Sequence, residues 1–164
     1  MSWDEFYIGM CLHVSKKSQD RSTKLGAVIV GNNNEVLSIG FNGFPRGIDD
    51  EEERYHERPM KYLITEHAER NAIFNCARQG IATEGATMYL PFDPTPCTRC
   101  TRAVIQSGIK RIIGTDVIFT GKGKQWDEDL ALAREMLEQA KIERVFVDVA
   151  GTDLDIRKFN EEAV

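Results

Sequence analysis

The amino-acid sequence predicts an α/β fold, a three-layer α/β/α sandwich built on a five-stranded mixed central sheet. Two observations carry that expectation. The chain has 164 residues, of which 41% are hydrophobic and 29% charged, the make-up of an ordinary globular domain with one core. Along it, apolar spacing runs from helical, through a hairpin, to helix and strand in alternation, an order that helices on both faces of a mixed sheet satisfy. One domain is expected over 1–164, with a core of about 3–149 and a polar tail at 150–164.

Trp3, Phe6, Tyr7, Met10 and Val14 recur at three- and four-residue spacing and predict an amphipathic helix over 3–17. Leu25 to Val30 and Glu35 to Ile39 read as strands, joined into a hairpin by the turn Asn32-Asn33-Asn34. Gly40 to Gly47 contains three glycines and a proline, and reads as a shaped loop. Residues 48–66 are dense in charge, with Pro59 inside, and read as a solvated connection or, alternatively, as a lid or subunit contact. Ala68, Ala72, Ile73 and Cys76 mark one face of a helix over 67–79, stopped by Gly80. Ala86 to Leu90 is a strand, 91–96 a stiff proline-rich loop, and 97–107 a helix between Pro96 and Gly108. Arg111 to Phe119 reads as a strand interrupted by Gly114, Leu130 to Ala140 as a helix, and Arg144 to Val149 as the last strand.

The formal net charge is −5, which argues against a dedicated nucleic-acid binder, since such domains carry a basic surplus. A small anionic ligand needs only one or two placed arginines. Asp4 and Glu5 stand where a signal peptide needs basic residues, and no run approaches the roughly 20 apolar residues of a membrane span. A reducing, cytoplasmic setting is expected, and there the four cysteines suggest metal or redox chemistry rather than a disulfide framework.

Cys97 and Cys100 sit three apart at the start of a helix, so both sulfurs lie on one face, next to the partial positive charge that favours thiolate. A redox pair or a closed four-ligand zinc site would also produce Cys-x-x-Cys, and the further ligands would come from Cys11, Cys76, His13, His56 and His67. Cys76 lies too far along the helix that carries His67 to share its ion, about 13.5 Å at ~1.5 Å rise per residue. His67 stands out because Glu69 accompanies it at a helix start. Two thiolates and one imidazole leave a fourth position open, the mark of a catalytic zinc. His67 and Glu69 converge only if His67 lies at the helix margin, because residues two apart point in different directions on a helix.

His67-Ala68-Glu69 followed by Pro96-Cys97-Thr98-Arg99-Cys100 matches the zinc deaminase signature. The chain resembles the deoxycytidylate (dCMP) deaminases of the cytidine deaminase-like superfamily, bacterial and phage members above all. The resemblance extends to Lys24 to Val30, Gly40 to Gly47, Glu66 to Ile73, Gly85 to Tyr89 and Gln106 to Ile109, and so to most of residues 4–148. It implies that His67, Cys97 and Cys100 hold one Zn2+ and that Glu69 shuttles protons. It implies conversion of dCMP to dUMP and ammonia, feeding thymidylate synthesis. It places Asn42 at the sugar 3′-hydroxyl, Ala68 at the substrate, and Arg21 or Arg78 at phosphate. Gly43 and Arg46 would border substrate or effector. Regulated members are homo-oligomers, commonly hexamers, activated by dCTP and inhibited by dTTP, and Mg2+ would accompany either effector. Some members hold a second zinc, for which Cys11, His13 and His56 are the residues to inspect. The location expected is the cytoplasm, or the host cytoplasm for a phage-encoded chain, with no membrane partner. The zinc motif alone does not separate this reading from a cytidine or transfer-RNA adenosine deaminase, or from a non-catalytic zinc module. The acidic balance and the Asn42 loop favour a mononucleotide.

Overall fold

The computed structural model describes residues 1–117 and 124–155, with the side chains of 124 and 125 left aside. Helix α1 (Trp3–Ser15) leads into strands β1 (Gly26–Val30) and β2 (Val36–Phe41). A single 3-10 turn (Glu53–Tyr55) and the short helix α2 (Met60–Ile64) follow, then α3 (Ala68–Gln79) and β3 (Thr87–Tyr89). The chain continues through α4 (Thr98–Gln106), β4 (Arg111–Thr115), α5 (Lys124–Gln139) and β5 (Glu143–Val147). The five strands form one mixed sheet in the order β2-β1-β3-β4-β5, as expected. β1 is antiparallel to both its neighbours, whereas β3, β4 and β5 run parallel, with α4 and α5 as their crossovers.

Alternation along the strands divides the core in two. Val28 and Val30 face α1, packing with Tyr7, Ile8 and Cys11. Ala27, Ile29 and Met88 face the other way, onto Ala68 and Ala72 of α3, Val104 of α4 and Leu137 of α5. These are the outer layers of the sandwich.

Several expectations need correction. The buried face of α1 is Tyr7, Ile8, Cys11, Leu12 and Val14, while Trp3 and Phe6 lie exposed, Trp3 stacking on the buried Tyr7 and Phe6 meeting it edge-on. Ser2 and Glu5 close a reciprocal cap at the start of this helix, which ends at Ser15 rather than 17. Gly114 does not interrupt β4, since it pairs within the strand with Phe146. The strand ends at Thr115, and positions 118 and 119 of the predicted strand lie outside the described residues. β2 runs on to Phe41, and β5 ends at Val147. The 48–66 segment is more than a solvated connection, because α2 within it sends Lys61 inward, 9% exposed. Among the described residues no helix is long and apolar enough to cross a membrane.

Candidate active site

His67 and Glu69 are placed by the docking of α3 on β2. A Cβ at Gly40 would lie 2.3 Å from the Ala68 carbonyl oxygen and from the Ala72 nitrogen, so only glycine lets helix and strand approach this closely. Polar side chains lock the contact. Ser38 donates to the Ala72 carbonyl at 2.8 Å, and Asn71 and Asn75, one turn apart, donate to the Phe41 and Ile39 carbonyls at 2.7 Å each. His67 precedes the first turn with extended backbone (φ −79, ψ 154), and Glu69 lies inside that turn. The expected helix margin is therefore present, and it lets side chains two apart in sequence share one site.

Cys97 and Cys100 are placed by α4 and the loop before it. That loop lies against β4, with Thr115 N–H bonding the Phe92 carbonyl at 2.9 Å and Asp93 N–H bonding the Val117 carbonyl at 2.8 Å. A Cβ at Gly114 would meet the Phe92 oxygen at 2.1 Å, so the glycine that looked like a strand breaker is what admits the loop. Cys97 stands just before α4 with extended backbone, Cys100 lies in its first turn, and Thr101 donates back to the Pro96 carbonyl at 3.0 Å.

The sulfurs of Cys97 and Cys100 each lie 3.5 Å from His67 Nδ1. Zinc bonded tetrahedrally to sulfur at ~2.3 Å and nitrogen at ~2.05 Å separates the two by about 3.6 Å. The donor set thus fits the ion in chemistry and in spacing. Among the described residues this is the one group of three or more side chains close enough to share a metal. The Cys97 thiol is pulled down to about 4, first by the hydrogen bond from Cys100 and, against burial, by His67. Cys100 is pushed up by its hydrogen bond with Cys97 and by burial, and His67 is raised to about 9, chiefly by its hydrogen bond to Cys97. The three groups share protons that a cation would displace. Glu69 is 3% exposed. Burial pushes its carboxyl up while His67 pulls the other way, the direction that suits a group required to hold and release protons.

These side chains open onto a cavity of about 250 Å³. His67, Ala68, Glu69, Cys97 and Asn42 all line it. The Asn42 amide is already engaged, accepting from Leu25 N–H and donating to the Thr23 carbonyl, both at 2.8 Å. The same cavity is also lined by residues that sequence reasoning missed: Asp20, Ser22, Arg58, Lys61 and Tyr62, with Trp126 from α5. Lys61 bonds Asp20 at 2.8 Å, and Asp20 also accepts from Ser22 and Thr23 N–H at 2.8 and 2.9 Å. Arg58 donates to the Tyr62 hydroxyl at 2.7 Å. The one hint in the sequence was Pro59 followed by the apolar run of α2 inside a charged stretch.

Arg21, Gly43 and Arg46 line a second cavity of about 500 Å³, which shares Asp20, Ser22, Arg58, Lys61 and Thr65 with the first. Arg21 lies in the loop before β1 and forms a two-pronged exposed pair with Glu53 at 2.8 Å. Arg46 bonds Asn75. Arg78 is exposed at the end of α3 and lines neither cavity. The residues inspected for a second zinc are not brought together. Cys11 is buried and bonds the Tyr89 carbonyl, His13 is exposed, and His56 lies 2.7 Å from the Asp50 carbonyl.

Residues 1–115 match the family model described as the cytidine and deoxycytidylate deaminase zinc-binding region. The deaminase of the luxG 3′ region of Aliivibrio fischeri is 34% identical over 95% of this chain and 97% of its own. Human deoxycytidylate deaminase is 33% identical over 84% of this chain and 74% of its own. The crystal structure of a dCMP deaminase from cyanophage S-TIM5, in complex with dCMP and dUMP, superposes with a TM-score of 0.68 at 23% identity, covering 87% of this chain and 95% of that one. That likeness bears out the fold.

Proposed function

The chain belongs to the cytidine and deoxycytidylate deaminase zinc-binding family, and we propose that it removes the 4-amino group of dCMP by hydrolysis, giving dUMP and ammonia. The observation that carries this reading is one cavity lined by His67, Cys97 and the buried Glu69 together with Arg58 and Lys61. His67, Cys97 and Cys100 hold zinc, which when bound makes water acidic enough to act as a nucleophile near pH 7. Glu69 takes a proton from the attacking water and delivers it to N3 of the base. It then carries the second proton to the departing amine. The oxygen of water bonds C4, the C4–N4 bond breaks, one water proton ends on N3 of the product and the other on ammonia. Each transfer returns Glu69 to its starting state, and so one carboxyl serves throughout.

Arg58 and Lys61, with the hydroxyls of Ser22 and Tyr62, supply donors for a 5′-phosphate. They take the role that the resemblance gave to Arg21 or Arg78. Asn42 serves the sugar side through the second lone pair of its Oδ1. Ala68, fully buried behind the base, limits the depth of the cavity. The second cavity, with Arg21, Arg46 and the backbone of Gly43, is the place for a dCTP or dTTP effector with its Mg2+. A role for Arg78 there requires a neighbouring subunit. The exposed apolar side chains Ile39, Phe41 and Phe74 on β2 and α3 suit assembly into a homo-oligomer, a hexamer by the resemblance. The whole chain, 1–164, acts as one catalytic domain. Thiolate ligands suit a reducing cytoplasm.

The test is ultraviolet-monitored deamination by purified protein of known zinc content, with dCMP, CMP, deoxycytidine and cytidine compared with and without dCTP and Mg2+. Turnover led by dCMP is expected. Turnover of nucleosides alone would overturn the phosphate reading, and inosine formation in transfer RNA with none of the four converted would overturn the substrate class.

A further inference from the structure

The geometry points to Asp129 as a positioning residue for the metal site, holding the ligand-bearing turn of α4 from a different helix. Cys97 occupies the position before the first turn of α4, where a serine, threonine or aspartate side chain ordinarily accepts a first-turn N–H. Its sulfur faces His67 instead and makes no cap. The missing acceptor comes from α5. Asp129 Oδ2 accepts the Thr98 N–H at 3.0 Å, and its Oδ1 accepts the Thr98 hydroxyl at 2.6 Å. Both oxygens are thus spent on the residue next to one ligand and two before the other.

The same helix presents Trp126 and Leu130, on either side of Asp129, to the cavity that holds Glu69. One carboxylate therefore ties the zinc turn to the element that walls the substrate space. Charge is not what the contact supplies, because an anion at this helix start weakens the local positive field that favours thiolate. What it supplies is position. It fixes Thr98, and with it the direction in which the Cys97 sulfur leaves the backbone, so that sulfur and imidazole stay at 3.5 Å. Asparagine preserves both contacts, since its carbonyl accepts the Thr98 N–H and its amide donates to the Thr98 hydroxyl. Alanine preserves neither.

This inference rests on the deaminase reading only through the three ligands, and its test needs no substrate. Zinc affinity is measured on the full chain by chelator competition, and the cobalt-substituted protein is followed by its ligand-field and thiolate charge-transfer bands. Asp129→Ala is expected to weaken zinc binding by about tenfold or more, the range for partners that orient metal ligands, and to shift the cobalt bands. Asp129→Asn is expected to stay near the parent in both. Thr98→Val, which removes only the hydroxyl contact, gives a smaller loss and serves if the alanine variant fails to fold. Unchanged affinity and spectrum in Asp129→Ala or, failing that, in Thr98→Val, would overturn the proposal and leave Asp129 as a tie between helices. An asparagine variant as impaired as alanine would overturn it in favour of charge. Loss of turnover by a fully zinc-loaded parent would refute the deaminase reading while leaving these readouts intact.

Discussion

The two walls of the cavity are built in opposite ways. The metal wall comes from two helix starts, α3 and α4, each seated on the sheet by a glycine that admits backbone contact, Gly40 under α3 and Gly114 beside the loop before α4. The other wall comes from loops, the short α2 and the start of α5, its loop part joined by a buried ion pair, Lys61 to Asp20, and by the amide of Asn42. On the proposed reading the first wall does the chemistry and the second reads the rest of the substrate. The first is held by regular elements, the second by hydrogen bonds among side chains far apart in sequence. Each wall is therefore expected to fail in its own kinetic constant.

The largest effect is expected on the metal wall. Glu69→Gln keeps the shape of the side chain and removes its proton traffic, so kcat should fall by about 10³-fold, within the range of general acid–base catalysis, with zinc content unchanged by metal analysis. Turnover that survived this change would sink the role of Glu69. The second wall should answer differently. Lys61→Met removes a charged donor worth about 1.5–3 kcal/mol, so kcat/KM for dCMP should fall about ten- to a hundredfold, mostly through KM, while the loss on deoxycytidine, which reports only the unpaired Asp20, should be smaller. An equal loss on nucleotide and nucleoside would mean that Lys61 serves the fold and not the phosphate.

The same contrast governs what could be read in the sequence. His67, Glu69, Cys97 and Cys100 lie within two short segments, and their chemistry is local, so residue type and spacing expose them. The order of elements, and hence the mixed sheet, followed from periodicity. The second wall has no such signature. Asp20, Lys61 and Trp126 come from three distant segments, and nothing about a lysine in a charged stretch says that it turns inward. Arg21 and Arg78 were singled out as cations, yet cations report position only through folding, and the fold pairs Arg21 with Glu53 at the second cavity. Gly114 was misread because a strand glycine signals either a break or a close approach, and only the loop lying on it decides between them.

Gly114→Ala sharpens the comparison at the level of the scaffold. The added carbon would lie 2.1 Å from the Phe92 oxygen and 2.9 Å from Pro94 N. The loop carrying Pro96 and Cys97 must move, at a cost of up to about 3 kcal/mol for overpacking. The expected outcome is a lower denaturation midpoint together with faster zinc loss to a chelator. A lower midpoint with unaltered zinc retention would show that the loop yields without disturbing its ligand.

The smallest expected effect isolates the second wall through pH. Burial pushes the Asp20 carboxyl up, but the Lys61 hydrogen bond, the N–H groups of Thr23 and Ser22 and the Lys61 charge outweigh it, so its folded pKa lies below the ordinary value. A depressed folded pKa means that the unfolded chain takes up the proton first as pH falls. The contribution of Asp20 is therefore fully present above the unfolded value of about 3.9 and is lost as pH drops from there through the lower folded value. Zinc release in acid acts in the same direction, since thiolates and imidazole also protonate. The parent curve alone therefore cannot assign the loss. The difference between the parent and Asp20→Asn can, because the metal wall is identical in both and its contribution cancels. That difference in unfolding free energy is expected to be about 2 kcal/mol at pH 7, as for hydrogen bonds to a charged group, and to shrink below pH ~4 as the parent's own carboxyl is neutralised. A difference that stayed constant down to pH ~2 would mean that the variant fails by shape, and that the buried ion pair is not what holds this wall.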